Sequence, residues 1–130
     1  GGARLGRDMS SEGGDDGGDG RCQDLLELAN ARWSAMKGSC FNRHFAPMEV
    51  VSVDRAQMRL TAAIVVTDQI TNGFGALHGG AIVSLADIVS TLALIVFSSN
   101  GAAGASIQLD TTFTRPAPIG ETITSGKYRT

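Results

Sequence analysis

Asp87 is the residue whose type and position most strongly suggest chemistry, because it is a carboxylate in the middle of the long apolar segment 81–97. A carboxylate among apolar residues needs hydrogen-bond partners or a water-filled cavity, since otherwise it takes up a proton. On a helix with 100° per residue, three small or polar positions share a sector of roughly 60° with Asp87. They are Gly80, Ser84 and Thr91. This polar stripe predicts either a general base that activates water or a structural Asp held by neighbouring hydroxyl groups.

Two glycines at the start of the same segment provide a second chemical element. Gly79 and Gly80 leave backbone N–H groups without side-chain cover at the positive end of the helix dipole. Such amides can polarise a carbonyl group and stabilise an oxyanion. Asn72 and His78 lie just upstream and can add hydrogen-bond donors. A tight packing point between a loop and a helix would need the same glycines, so this motif alone leaves both interpretations open.

The first part of the chain predicts a tail and a helix. Residues 1–20 contain eight glycines, two arginines and five acidic residues, so we expect a disordered tail without the pattern of a signal peptide. Apolar residues at three- and four-residue steps from residue 22 onward predict a helix that ends near Gly38. Cys22 and Cys40 are too few for a disulfide scaffold and lack the spacing of a metal site, which favours reduced structural thiols.

Strands and a loop are expected on both sides of the segment 81–97. Val51 and Val53, a polar break, and an alternating run over 58–66 predict a hairpin. The segment 71–77 is a loop broken by glycines, and it leads directly to His78. Two further strands are expected, over 105–114 and from Gly120 onward. This order predicts one domain in which a sheet wraps around a central helix.

Composition excludes some classes of function. The 130 residues include 11 Lys plus Arg and 13 Asp plus Glu, and only 5% are aromatic, which argues against a nucleic-acid-binding protein. The segment 81–97 is apolar enough to suggest a membrane span, but a central Asp87 would be costly in a bilayer. We therefore expect a helix buried against a sheet and no membrane span.

The ordered combination of motifs resembles the hotdog-fold acyl-CoA thioesterases, especially the PaaI-like branch and its eukaryotic thioesterase-superfamily members. The resemblance covers roughly residues 45–130 and implies an α+β fold with a curved antiparallel sheet around one long helix. It also implies hydrolysis of acyl-CoA thioesters without a metal or redox cofactor. About two strands of a hotdog domain are missing at the end, so we expect a domain over 21–130 that is incomplete at its C terminus. The motifs are Asn72-x5-His78-Gly79-Gly80, Asp87, Ser106 and Phe113-Thr114-Arg115-Pro116-Ala117.

The resemblance also implies roles for individual residues. Asp87 corresponds to the acid that acts as general base on water or as nucleophile, and Gly79 to the amide that polarises the thioester carbonyl. Asn72 and Ser106 correspond to polar residues that position water and substrate. His78 corresponds to the motif histidine, which assists the orientation of the carbonyl.

Two more residues are candidates for substrate binding. Gly80 adds a second uncovered amide at the helix start. Arg115 precedes a proline at a strand break, where its charge would either meet the phosphates of CoA or remain solvated. His44 lies in a loop and is interpreted as structural or as lining a pocket rather than as catalytic.

Two other functions within the same fold remain open. A hydratase or dehydratase would pair a histidine with an acid for proton transfer at carbon, and a module that only binds acyl-CoA would not need the acid. The position of His78 at the Gly-Gly helix start and the presence of Asp87 favour hydrolysis.

The spacing of the two main groups predicts an oligomer. Asp87 lies eight residues after Gly79, so on one helix they are about 12 Å apart along the axis and about 80° apart around it. A water held by the carboxylate has to attack a carbon whose oxygen lies near 3 Å from the amide. Asp87 and Gly79 of one helix are too far apart for a single thioester carbonyl to lie beside both the water and the amide. We therefore expect at least a homodimer with two shared sites. The resemblance implies that such dimers often form homotetramers.

Overall fold

The computed structural model describes residues 17–102, 104 and 115–128. Within these residues one long helix packs against an antiparallel three-stranded sheet of order β1-β2-β3. The predicted arrangement of a central helix on an antiparallel sheet is therefore confirmed. The predicted strand over 105–114, with Ser106, lies outside the described residues, as does most of the predicted tail. The elements are α1 (Gly17–Met36), β1 (Glu49–Asp54), β2 (Arg59–Val65), α2 (Gly79–Phe97) and β3 (Thr122–Tyr128), with short 3-10 helices at Phe41–Phe45 and Asp68–Ile70.

The β1–β2 hairpin forms as predicted, but a β-bulge changes which residues of β1 face the core. The register of β1 against β2 shifts between Val50 and Ser52. Val50 and Val53 are consequently both buried, whereas Val51 is exposed. A strand without a bulge would have placed Val51 and Val53 on the same face, since side chains alternate along a strand.

The first helix begins at Gly17, so the last four residues of the predicted tail are helical, and it packs on β1 and α2. Its apolar face is confirmed, because Ala29 and Trp33 are fully buried in the core. The Asn30 side chain donates to the Val50 carbonyl and accepts from the Val50 N–H, both at 3.0 Å. The Trp33 indole N–H donates to the Met48 carbonyl at 2.8 Å. These bonds satisfy backbone groups at the outer edge of β1.

The long helix α2 buries one side against the sheet. By length and composition α2 is also apolar enough to cross a membrane. The core helix of a folded domain passes the same test, so this property alone is weak evidence for a membrane span. Six of its residues belong to the main core. They are Ala81, Leu85, Val89, Leu92, Ala93 and Val96.

The expectation that Asp87 is buried is wrong for the single chain, in which this residue is exposed. Gly80 is exposed too, while Ser84 and Thr91 are half-buried. The reason is geometric: the centre of the polar stripe lies roughly 140° around the helix from the centre of the core-facing side. The stripe therefore borders the outer surface of the fold.

Candidate active site

The loop before α2 is organised by the Asn72 side chain. Its Oδ1 accepts hydrogen bonds from the N–H groups of Phe74 at 2.9 Å and Ala76 at 3.2 Å, and its backbone N–H donates to the Ala76 carbonyl. An isolated bridge between Thr71 and Leu77 closes the loop. Asn72 thus holds the loop in shape, and its side-chain NH₂ group is the part that can still donate to a substrate.

The same loop is joined to the segment that precedes β3. The Leu77 N–H donates to the Ala117 carbonyl at 2.7 Å, and Ala76 forms a bridge with Pro118. The Ile119 N–H donates to the Gly75 carbonyl at 3.3 Å. Gly75 has a φ of +75°, a conformation that costs little only for glycine. Residues distant in sequence therefore fix the position at which α2 begins.

His78 is the N-cap of α2, and its ring nitrogen Nδ1 accepts a hydrogen bond from the Gly80 N–H at 2.8 Å. A backbone N–H can only donate, so Nδ1 has to carry a lone pair. In the neutral ring the proton then sits on Nε2, which makes this atom a donor. The backbone N–H of His78 donates to the Ile70 carbonyl at 2.9 Å, which anchors the residue further.

The amides at the start of α2 are not equivalent. The Gly80 N–H is taken by the His78 ring, and the N–H groups of Ala81 and Ile82 both donate to the His78 carbonyl. For the Gly79 N–H, no acceptor lies among the described residues. Gly79 is thus the one amide of this first turn that remains able to donate to a ligand at the positive end of the helix.

Two serine hydroxyl groups near Asp87 bond to the backbone of α2 itself. Ser84 donates to the Gly80 carbonyl and Ser90 to the Ala86 carbonyl, each at 2.7 Å. Neither hydroxyl proton is therefore directed to the Asp87 carboxylate.

Arg115 already has a partner. Its guanidinium donates to a carboxylate oxygen of Glu121 at 3.1 Å, and 72% of the Arg115 side chain is exposed. The pair leaves most of the guanidinium in contact with solvent, so a phosphate group can still reach it. An exposed pair of this kind contributes between about 0 and 1 kcal/mol to stability.

A cavity beside the start of α2 was not predicted from the sequence. It has a volume of about 400 Å³ and lies between the two 3-10 helices and the first turns of α2. His78, Gly80 and Ser84 form one side of it. The segment Phe41–Phe45 has no periodicity or motif that would have assigned it to a site, although His44 had been interpreted as a possible pocket residue. The remaining lining residues are Phe41, His44, Phe45, Gln69, Ile70, Thr71 and Ala81.

Comparison with known proteins identifies the family. The model of the thioesterase superfamily matches residues 74–126. Human acyl-coenzyme A thioesterase 13 is 34% identical over 101 residues, which cover 78% of this chain and 68% of the human protein. The chain belongs to the thioesterase superfamily. Mouse acyl-coenzyme A thioesterase 13 is 40% identical over 75 residues, and the matched region spans about half, 53%, of its length.

Solved structures of this superfamily share the fold. Thioesterase superfamily member 2 of zebrafish matches with a TM-score of 0.70 and 35% identity, covering 78% of this chain and 72% of that one. The E. coli PaaI protein of the phenylacetic acid degradation operon matches with a TM-score of 0.59 and 25% identity, covering 78% and 70%. The α+β hotdog fold and the resemblance to the PaaI-like and eukaryotic branches are thus confirmed.

No cluster of His, Cys, Asp and Glu residues suited to a metal ion occurs in the part of this thioesterase-superfamily chain that the structure describes. Both cysteines are free thiols, with Cys22 half-buried on α1 and Cys40 exposed.

Proposed function

We propose that this chain hydrolyses acyl-CoA thioesters to a carboxylic acid and free CoA. The observation that carries the proposal is the Gly79 N–H, which has no acceptor among the described residues and lies at the positive end of α2 beside a fixed histidine. A donor of this kind is what a thioester oxygen needs while negative charge develops on it. The names of the curated relatives, which are acyl-coenzyme A thioesterases, support the same substrate class.

In the proposed reaction, the thioester oxygen accepts a hydrogen bond from the Gly79 amide. The Asp87 carboxylate takes a proton from a water molecule whose oxygen attacks the carbonyl carbon, or Asp87 itself attacks and water hydrolyses the resulting anhydride. In either route the C–S bond breaks when the tetrahedral intermediate formed at the thioester carbon collapses, so in the second route CoA leaves before water reacts with the anhydride. The CoA sulfur leaves as a thiolate that takes up a proton. The Nε2–H of His78 and the NH₂ group of Asn72 are further donors for carbonyl or water, and Ser106 keeps its proposed role in positioning them.

The state of His78 argues against a hydratase or dehydratase. A histidine that removes a proton from carbon needs a free lone pair directed at the substrate. Here the lone pair of Nδ1 accepts from Gly80, and Nε2 carries the proton. The ring is set up to donate a hydrogen bond, which suits carbonyl polarisation.

We further propose that two copies of the chain form each site. Asp87 and Gly79 lie about 12 Å apart along one helix and face different directions. The exposure of Asp87 and Gly80 in the single chain leaves this face of α2 open to a second copy. A two-fold axis that brings Asp87 of one protomer near Gly79 of the other would complete two equivalent sites, and the dimers would pair further into a tetramer.

The test is thiol release from a series of acyl-CoA substrates by wild type and by Asp87→Asn. We expect wild type to release CoA, and Asp87→Asn to lose at least about 10²-fold in kcat because a positioned general base is removed. Asp24→Asn is the matched control, because Asp24 is an exposed aspartate on α1. Thermal unfolding of both variants should match wild type, since Asn has nearly the shape of Asp and both residues are exposed in the single chain. Unchanged kcat in Asp87→Asn, or no thiol release from any acyl-CoA by wild type, would refute the proposal.

A further inference from the structure

The cavity beside the start of α2 has one wall that the proposed chemistry does not use. His78 and Gly80 lie at its polar side, next to the proposed oxyanion donor. The opposite wall is formed by the segment Phe41–Phe45, which contributes three ring side chains. The cavity therefore connects the two residues that precede and follow the proposed oxyanion donor with a group of rings.

Most of the polar side chains along this cavity are already engaged. The Thr71 hydroxyl donates to the Asp68 carbonyl at 3.2 Å, and the Ser84 hydroxyl donates to the Gly80 carbonyl at 2.7 Å. The surfaces that remain for a ligand are chiefly hydrocarbon and ring faces, together with the Gln69 amide and, within the ring wall, the His44 imidazole. Such a lining favours an apolar guest.

The ring wall is held in place by packing. Phe45 is 1% exposed and belongs to the core. Phe41 lies edge-on against Phe45, with ring centroids 5.5 Å apart, and tilted against His44 at 5.7 Å. Phe41 nevertheless remains 60% exposed, so it has surface to offer to a ligand. Edge-to-face contacts of this kind are favourable for aromatic rings.

We propose that Phe41 and His44 determine which acyl groups this protein accepts, by forming the wall against which the acyl chain packs. The inference rests on the proposed function, because it assigns the acyl end of the same substrate. A cavity of 150 Å³ holds one benzene ring, so a space of about 400 Å³ has room for an apolar group roughly two to three times that size. The favoured substrates are thus thioesters whose apolar acyl group is long enough to reach the wall, such as octanoyl, whereas an acetyl group leaves the wall untouched.

The first test measures binding, so that it does not depend on hydrolysis. S-octyl-CoA and S-ethyl-CoA are thioethers that cannot be hydrolysed, and their Kd values are compared by calorimetry. We expect Phe41→Ala to weaken S-octyl-CoA binding about tenfold and to leave S-ethyl-CoA within twofold, because only the longer chain reaches the ring. His44→Leu should strengthen S-octyl-CoA binding a few-fold, since it replaces a polar ring with an apolar group. Leu28→Ala is the control, as Leu28 is an exposed apolar residue of α1 away from the cavity.

The second test follows kcat/KM for octanoyl-CoA and acetyl-CoA with the same variants. In Phe41→Ala, the kcat/KM for octanoyl-CoA divided by that for acetyl-CoA should fall about tenfold, while the kcat/KM for acetyl-CoA stays within twofold of wild type. The inference would be overturned if Phe41→Ala bound S-octyl-CoA as tightly as wild type does. It would also be overturned if Phe41→Ala lost the same factor in kcat/KM for octanoyl-CoA and acetyl-CoA. Dissociation of oligomers in Phe41→Ala, seen by sedimentation, would show instead that a second copy covers this wall. Binding of S-octyl-CoA by wild type without hydrolysis of octanoyl-CoA would contradict the proposed function alone.

Discussion

The loop that leads into α2 and the outer face of α2 differ in how their polar groups are satisfied. In the loop, Asn72 and His78 each accept hydrogen bonds from backbone N–H groups of their own chain. On the outer face, the serine hydroxyls donate to helix carbonyls, and Asp87 is exposed. The first region thus has its geometry fixed within one chain, whereas in the dimer that we propose a second copy would complete the environment of Asp87.

In the proposed site, the loop region provides the hydrogen-bond donors and the outer face of α2 provides the acid. The donors at Gly79 and His78 are set before any ligand arrives, which is the condition for stabilising an oxyanion without reorganisation. The acid gains a low-polarity environment only when a second surface covers it. Substitutions in the two regions should therefore have separable effects on activity, stability and assembly.

The largest expected effects come from one substitution in each region and from mixing the two inactive variants. Gly79→Val should lower kcat at least about 10²-fold, because a branched side chain covers the amide that would meet the oxyanion. Asp87→Asn should be similarly inactive. A 1:1 mixture of the two variants should recover about a quarter of wild-type activity, because half of the dimers are mixed and each contains one intact site.

Mass spectrometry of the intact mixture would establish that mixed dimers form, and recombined wild-type protein serves as the reference for activity. The free energy of unfolding of Gly79→Val should change by less than about 1 kcal/mol, since glycine has the lower helix propensity. Mixed dimers without activity would rule out a shared site.

A smaller effect is expected where Asn72 organises the loop. Asn72→Asp keeps the oxygen that accepts from Phe74 and Ala76 but loses the NH₂ group, whereas Asn72→Ala loses both. We expect Asn72→Ala to lose about 1 kcal/mol of unfolding free energy and Asn72→Asp to remain close to wild type. Both should lower kcat. Equal stability of the two variants would contradict the role of Oδ1, and wild-type kcat in Asn72→Asp would contradict the role of the amide donors.

The smallest effect concerns the cap formed by His78. Asn is a good N-cap residue, so His78→Asn should preserve the bond to the Gly80 N–H, whereas His78→Ala should cost about 1 kcal/mol of unfolding free energy. Urea denaturation checks this difference. Both variants lack the Nε2–H donor, so kcat should fall by a similar factor in each. A fall in kcat only in His78→Ala would mean that the histidine acts solely through the helix cap.

Local patterns predicted most of the described fold. Alternation over 58–66 gave the correct buried face of β2, because a strand with one face against a core has a period of two. The same rule fails in β1, where the bulge after Val50 turns Val51 outward. The bonds from Asn30 to Val50 connect residues twenty positions apart, and no local pattern reports such a contact.

The sequence by itself determined the elements, the family and the candidate residues, because helix and strand periodicity and the Asn72 to Asp87 spacing are properties of neighbouring positions. Only the tertiary structure decided which groups are available. Packing of α2 on the sheet exposes Asp87, and the distant segment Phe41–Phe45 forms a cavity wall. The His78 ring accepts from the Gly80 N–H, whereas the Gly79 N–H has no acceptor in the part of the chain that the structure describes. Burial and hydrogen bonding depend on which segments meet in space, and that is set by the packing of the whole core.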